Sequence, residues 1–230
     1  MTMTKRPGRF HIAIPIYEGV DLLDVAAPCE MFKWMGGYWT ERKVSVSLVE
    51  PKGRAVRTRD GLLLTPDKSF DDYGPRRLQS QLIWVPGGDP PNLQKTMSDT
   101  RYLNFLREQS EGVAWVTSVC EGALLLASAG LLDGYKATTH WAFIPCLKSF
   151  PAIKVARGYP RFVVDRNRVT GGGISSGLDE ALELIALIGG REIAEQVQSV
   201  TQYFPRPPVR GRIPGGDKCP IKTGPPPRRS

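Results

Sequence analysis

Histidine is scarce here, paired cysteines are absent, and no apolar run is long, and each shortage removes a class of protein. Only His11 and His140 occur in 230 residues, and Cys29, Cys120, Cys146 and Cys219 are widely spaced with no CxxC pair. That spacing argues against a zinc ribbon or a thioredoxin-type motif. With no metal cluster and no phosphate-binding loop in the sequence, neither a metal nor an organic cofactor is expected. In a reducing compartment a disulfide framework is not expected either. The cysteines are therefore read singly: Cys29 on an apolar helix face, Cys146 in a short connecting helix, Cys219 exposed in the tail. The longest apolar run is too short to span a bilayer. The opening "MTMTKRPGRF" lacks the apolar core of a secretory signal. A cytoplasmic protein with no membrane partner is the expectation.

The formal charge is +8, but it is concentrated at the ends. Residues 1–9 carry +3 and residues 204–230 carry +6, which leaves residues 10–203 at about −1. A near-neutral body between basic ends lacks the basic face that nucleic acid requires, so no nucleic-acid partner is expected.

A chain of 230 residues, 41% of them hydrophobic, has enough material for one substantial core. Residues 9–204 are read as one domain. From 205 to 230 Pro and Gly dominate and periodicity vanishes, which reads as a disordered or extended arm. "RFHIAIPIY", "KVSVSLVE", "QLIWVPGG" and "VAWVTSV" read as strands. "GRAVRTRDGLLLTPD" and "PRFVVDRNRVTGGG" read as strand pairs turning at Asp60-Gly61 and Arg166-Asn167. Helices are expected from around Asp24–Ala27, over 90–111, from about Glu121 to Leu131, over 175–190 and in "REIAEQVQSVTQYF". Strands alternating with helices give an α/β sandwich, mostly parallel, with helices on both faces.

In such a sheet the ligand crevice lies beyond the carboxyl ends of the strands. In "WVTSVCEGALLLASAGLL" an apolar strand stops, Cys120 follows, and an apolar helix begins. That is the placement of a nucleophile elbow, and a helix start favours a thiolate. Cys120 is the candidate nucleophile. Gly87 and Gly88 of "VPGGDP" end a neighbouring strand, and the Gly88 and Glu121 amides are candidates for an oxyanion-type hole. Glu18, Asp21 and Asp24 follow the first strand as candidate general acids, and spacing alone does not choose among them. Thr139 and His140 of "ATTHW" read as a backbone- or substrate-binding pair, and His140 is the histidine available for any Cys–His pairing. His11 lies within a buried strand pattern, where a structural role is expected.

"GVDLLDVAAPCEMF", "IWVPGG", "VTSVCEGALLLASAGLLDGYKATTHW" and "RVTGGGISSGLDEALELI" together resemble the ThiJ/PfpI superfamily, most closely its isonitrile hydratase branch. The resemblance covers residues 10 to about 205. It implies a flavodoxin-like three-layer sandwich, a homodimer, and hydration of a small-molecule isonitrile to an N-substituted formamide. It also implies Cys120 as nucleophile and Asp24 as the acid beside it, which leaves Glu18 and Asp21 structural roles. One position departs from the pattern, because the similar hydratases carry threonine where this chain has Glu121. At a helix start Glu121 is favourable by itself, whereas turned toward Cys120 it disfavours the thiolate. Two alternatives accompany the hydratase reading. One is a glyoxalase-type hydro-lyase acting on a small reactive carbonyl. The other is a redox- or small-molecule-sensing module, resembling the N-terminal domain of AraC-type regulators without a DNA-binding domain.

Overall fold

In the computed structural model, which describes residues 8–221, the expected alternation closes into one layered α/β unit. In chain order the elements are β1 (Gly8–Pro15), α1 (Leu22–Tyr38), β2 (Arg42–Glu50), β3 (Val56–Arg57), β4 (Leu63–Leu64) and β5 (Lys68–Ser69). Next come β6 (Leu82–Val85), α2 (Pro90–Thr96), α3 (Thr100–Ser110), β7 (Trp115–Ser118) and α4 (Gly122–Ser128). The chain continues through β8 (Lys136–Ala137), α5 (Ile144–Leu147), β9 (Lys154–Val155), β10 (Phe162–Asp165), β11 (Arg168–Gly171), α6 (Ser176–Gly189) and α7 (Arg191–Val200).

Seven strands form the main sheet in the order β10-β11-β7-β6-β1-β2-β5. Every neighbour pair is parallel except β10 with β11. A parallel strand is covered on both faces, which is why β6 is an unbroken apolar run and β1 is apolar but for His11: residues 10–15 and 82–85 are all buried. α1, α6 and α7 pack together, as do α3 and α4. β1 pairs with β2 on one side and β6 on the other, so the strand order reverses there. The crevice of an open α/β sheet opens at such a reversal.

Several boundaries differ from the sequence reading for local reasons. α1 begins two residues before Asp24 because Asp21 caps it, accepting a hydrogen bond from Leu23 N–H at 3.2 Å. Pro28 consequently lies inside the helix. The 90–111 segment breaks in two where Asp99 caps α3 through the Arg101 and Tyr102 amides. Both expected strand pairs form: β3 with β4, and β10 with β11 around Arg166, whose φ is +56°.

The cysteine reading needs correction. Cys146 and Cys219 form a disulfide across 73 residues of sequence, with Cα atoms 4.8 Å apart. Cys219 is half-buried and Ile221 is buried, so the arm is tied back to the body at α5. Residues 205–221 carry no helix or strand, and the remainder of the expected arm lies outside the described residues.

His11 has the structural role expected of it. Its ring nitrogens lie 2.8 Å from Ser45 Oγ and 2.8 Å from Tyr73 Oη. Burial pushes its pKa down to about 4. The folded state thus binds this proton less readily than an unfolded chain, in which histidine titrates near 6.5. Its contribution to stability is intact above the unfolded value and is lost as pH falls toward the folded one. By linkage the loss at pH 5 is about 2 kcal/mol. Denaturant midpoints at pH 7.5 and 5, compared with those of His11→Gln, should show that loss shrink in the variant.

Candidate active site

Three turns meet at the carboxyl end of the sheet: the one after β1 that leads into α1, Pro86–Gly88 after β6, and Val119–Glu121 after β7. Strand pairing aligns the last two, since Val85 pairs with Ser118 and the Val119 N–H donates to Val85 O at 3.1 Å. The first is stitched to them by the Asp21 N–H, which donates to Gly87 O at 3.0 Å.

Cys120 has φ +57°, a left-handed conformation that costs a non-glycine residue about 1–2 kcal/mol. The neighbours hold it there. Its N–H donates to Gly172 O at 2.8 Å, and its carbonyl accepts from Thr139 Oγ1 at 2.7 Å. Gly122 admits the tight exit, because a Cβ there would overlap the Val85 carbonyl oxygen. Backbone is the obstacle, so Gly122→Ala should cost about 2 kcal/mol through overpacking. Thermal melts would show it as a lowered Tm, and an unchanged Tm would mean that the turn is looser than described.

Asp24 stands in the first turn of α1, fully buried. Its Oδ2 accepts from Gly87 N–H at 2.8 Å, and its main-chain carbonyl accepts from Trp84 Nε1–H at 2.9 Å. Asp24, Cys120 and Glu121 each bring a side-chain donor atom to a place where all three lie within 4.8 Å of one another. Burial pushes the Asp24 carboxyl well up, the Asp21 and Glu121 carboxyls push further, and the Gly87 amide and the thiol oppose them. Burial likewise raises the Cys120 thiol, with Asp24 and Glu121 adding to the rise and the Ile174 amide opposing it.

The thiolate expected at a helix start is opposed here by burial and by the Asp24 and Glu121 carboxyls. α4 starts only at Gly122 and is seven residues long, while two buried carboxyls lie beside the sulfur. The thiol is the favoured resting form.

Glu121 settles the orientation that its sequence left open. It is 7% exposed and interacts with the thiol rather than with solvent. Burial raises its carboxyl, against which the thiol and its own backbone amide act. The amide proposed for the oxyanion-type hole is thus already met by the Glu121 side chain. Gly87 is the glycine closest to that spot, since a Cβ there would overlap Glu121 Oε2 and stand 2.7 Å from Glu121 N. Gly88 instead turns toward Tyr17, whose Oη lies 2.8 Å from the position a Cβ would take.

Replacing Glu121 by threonine removes one of the two carboxyls that raise the Cys120 thiol, so the thiol pKa should fall. The thiolate fraction at neutral pH then rises. Intrinsic nucleophilicity falls as pKa falls, but less steeply than the thiolate fraction rises, so alkylation should be faster in the variant. Iodoacetamide rates at pH 7 for Glu121→Thr against the unaltered chain would measure this, and equal rates would remove Glu121 from the account.

The other candidates separate cleanly. Glu18 accepts from the Arg57 N–H at 3.0 Å, and Asp21 pairs with Arg59 at 3.2 Å. Both therefore work on backbone and cap. His140 Nδ1 accepts from Ala142 N–H at 3.3 Å, and its ring lies against the Gly173 turn. The residues gathered round the sulfur are carboxyls, not this imidazole. Two members of the neighbourhood escaped sequence reasoning. Glu180 of α6 is fully buried with both carboxyl oxygens unpartnered among the described residues, and burial then Asp24 raise its pKa. Tyr17 Oη is buried and likewise unpartnered.

A doubly wound sheet with a strained cysteine elbow facing a buried carboxyl defines a class, and comparison with known proteins identifies it. The DJ-1/PfpI family profile matches residues 10–187, and the chain belongs to that family. It is 36% identical over 197 residues to an isonitrile hydratase of Pseudomonas putida, covering 86% of this chain and 80% of that one. It is 31% identical over 185 residues to the HTH-type transcriptional regulator GbdR of Pseudomonas aeruginosa, covering 80% of this chain but 47% of the regulator. The crystal structure of a ThiJ/PfpI family protein from Pseudomonas syringae superposes with a TM-score of 0.78 at 33% identity, covering 88% of this chain and 78% of that one. No helix among the described residues is long and apolar enough to cross a membrane.

Proposed function

We propose that this chain is a cofactor-free enzyme that hydrates a small isonitrile to an N-substituted formamide. The observation that carries this reading is the Cys120 thiol held beside the Asp24 carboxyl on a strained elbow. Similarity to the Pseudomonas putida hydratase supports it. The terminal isonitrile carbon must gain both a nucleophile and a proton, and a thiol next to a carboxyl supplies both. Sulfur bonds to that carbon, Asp24 relays the thiol proton to it, and the product is a thioimidate, R–N=CH–S–Cys120. Water then adds across the C=N bond with Asp24 handling its proton. Collapse of the adduct releases R–NH–CHO and returns the thiol. Burial favours a neutral, apolar substrate over a charged one. The active species is read as a homodimer, for which light scattering is the direct check.

Glu121 favours a second reading, a glyoxalase-type hydro-lyase. A hemithioacetal formed on Cys120 by a dicarbonyl must move a proton between adjacent carbons, and two carboxyls flanking the sulfur provide donor and acceptor. Incubating the protein with cyclohexyl isonitrile or with methylglyoxal separates the two. Loss of the isonitrile infrared band with formamide formed in equal amount supports the first reading. Lactate formation with no formamide overturns it in favour of the second.

A further inference from the structure

Three buried side chains at the elbow, two of them the proposed catalytic pair, also form a donor set for a metal ion. Asp24 comes from α1, Cys120 and Glu121 from the β7–α4 turn, and one sulfur and two carboxylate oxygens converge within 4.8 Å of one another. All three residues are at most 7% exposed. One thiolate with two carboxylates suits a borderline-soft dication that accepts sulfur and oxygen in a tetrahedral set, and three protein ligands leave a fourth position for water.

An independent observation points to the same place. Asp24 Oδ1 within the cluster, and Tyr17 Oη beside the adjoining Gly88 turn, are buried without a hydrogen-bond partner among the described residues. Tyr17 is itself 5% exposed, and burial, then Tyr102, Glu121, Asp24 and Cys120, raise its hydroxyl pKa. A buried polar group left unpaired is unfavourable, and a coordinated ion with its water would satisfy such groups.

We propose that Asp24, Cys120 and Glu121 bind one divalent cation of the zinc class, with the Tyr17 hydroxyl bonded to the water in the remaining position. The hydrated ion exchanges waters for the three side chains. The Cys120 proton, and any proton on the carboxyls, leaves to solvent, and no electron is transferred. Occupancy engages one sulfur lone pair, so the loaded protein should react with electrophiles at Cys120 more slowly. The inference goes beyond hydration and does not depend on it.

The test uses the full chain, freed of metal by chelator dialysis and kept anaerobic without reductant, so that Cys146–Cys219 stays closed. Cobalt(II) is titrated while absorbance is followed. The expected result is one equivalent bound with a sulfur-to-cobalt charge-transfer band, displaced by zinc and retained in Cys29→Ser. Cys120→Ala should lose the band, and Glu121→Gln, which keeps the side chain's shape, should weaken cobalt by about tenfold or more. Circular dichroism checks that both variants are folded. Absence of the band in the unaltered chain, its survival in Cys120→Ala, or unchanged affinity in Glu121→Gln would overturn the proposal. None of these readouts involves an isonitrile, so failure here leaves the hydratase reading to be judged separately.

Discussion

Cys120→Ala should abolish formamide formation, lowering kcat/KM by about a thousandfold or more, with the fold unchanged. The reaction as proposed runs through a carbon–sulfur bond, and no other thiol stands in the cluster to replace it. A general-acid contribution alone recovers little when the nucleophile is gone, because residues that act as a unit are not additive. The fold should survive because the strain at this position is a backbone property. Cys120 holds φ +57°, and alanine pays the same steric cost there as cysteine. Cys120→Gly separates the two effects, because glycine enters this region freely. It should melt higher than Cys120→Ala by about 1 kcal/mol and be equally inactive. Residual hydration in either variant would move the nucleophile elsewhere. Equal stability of the two would mean that the elbow is not strained.

The layered fold and the elbow were legible in the sequence because each rests on a local pattern. The unbroken apolar run of β6 marks it as a strand buried on both faces, and a residue between a β-rich strand and an apolar helix has few places to go. Helix starts were less legible. Asp21 and Asp24 both look like first-turn acids, and only tertiary packing makes one a cap and buries the other. Glu121 was ambiguous for the same reason, since its orientation depends on how close Gly87 comes across the sheet. Glu180 left a trace that could have been found. It is in helical phase with Gly177, Ala181 and Leu184, all buried, and a carboxyl on a core stripe is expensive unless it has a task or a proton. The Cys146–Cys219 link left no trace, because 73 residues separate the partners and nothing local marks either one.

Asp24→Asn should cost about a hundredfold or more in kcat, within the range of a lost general acid. The side chain's two oxygens have different surroundings. Oδ2 accepts the Gly87 amide, while Oδ1 has no partner among the described residues. Asparagine can keep its oxygen on Gly87 and place its NH2 where the unpartnered oxygen was. The hydrogen bond that joins α1 to the β6 turn is then preserved, and thermal stability should change little. What asparagine cannot do is give up a proton and take one back. That step is needed twice, once to deliver hydrogen to the isonitrile carbon and once to manage the incoming water. The thiol of the variant also loses a neighbouring carboxyl, so iodoacetamide should react with it faster even as hydration stops. Faster alkylation with slower turnover is the signature of a proton relay removed beside an intact nucleophile. Asp24→Asn that hydrates at the original rate, or that alkylates and hydrates more slowly together, would assign the proton to Glu121 instead.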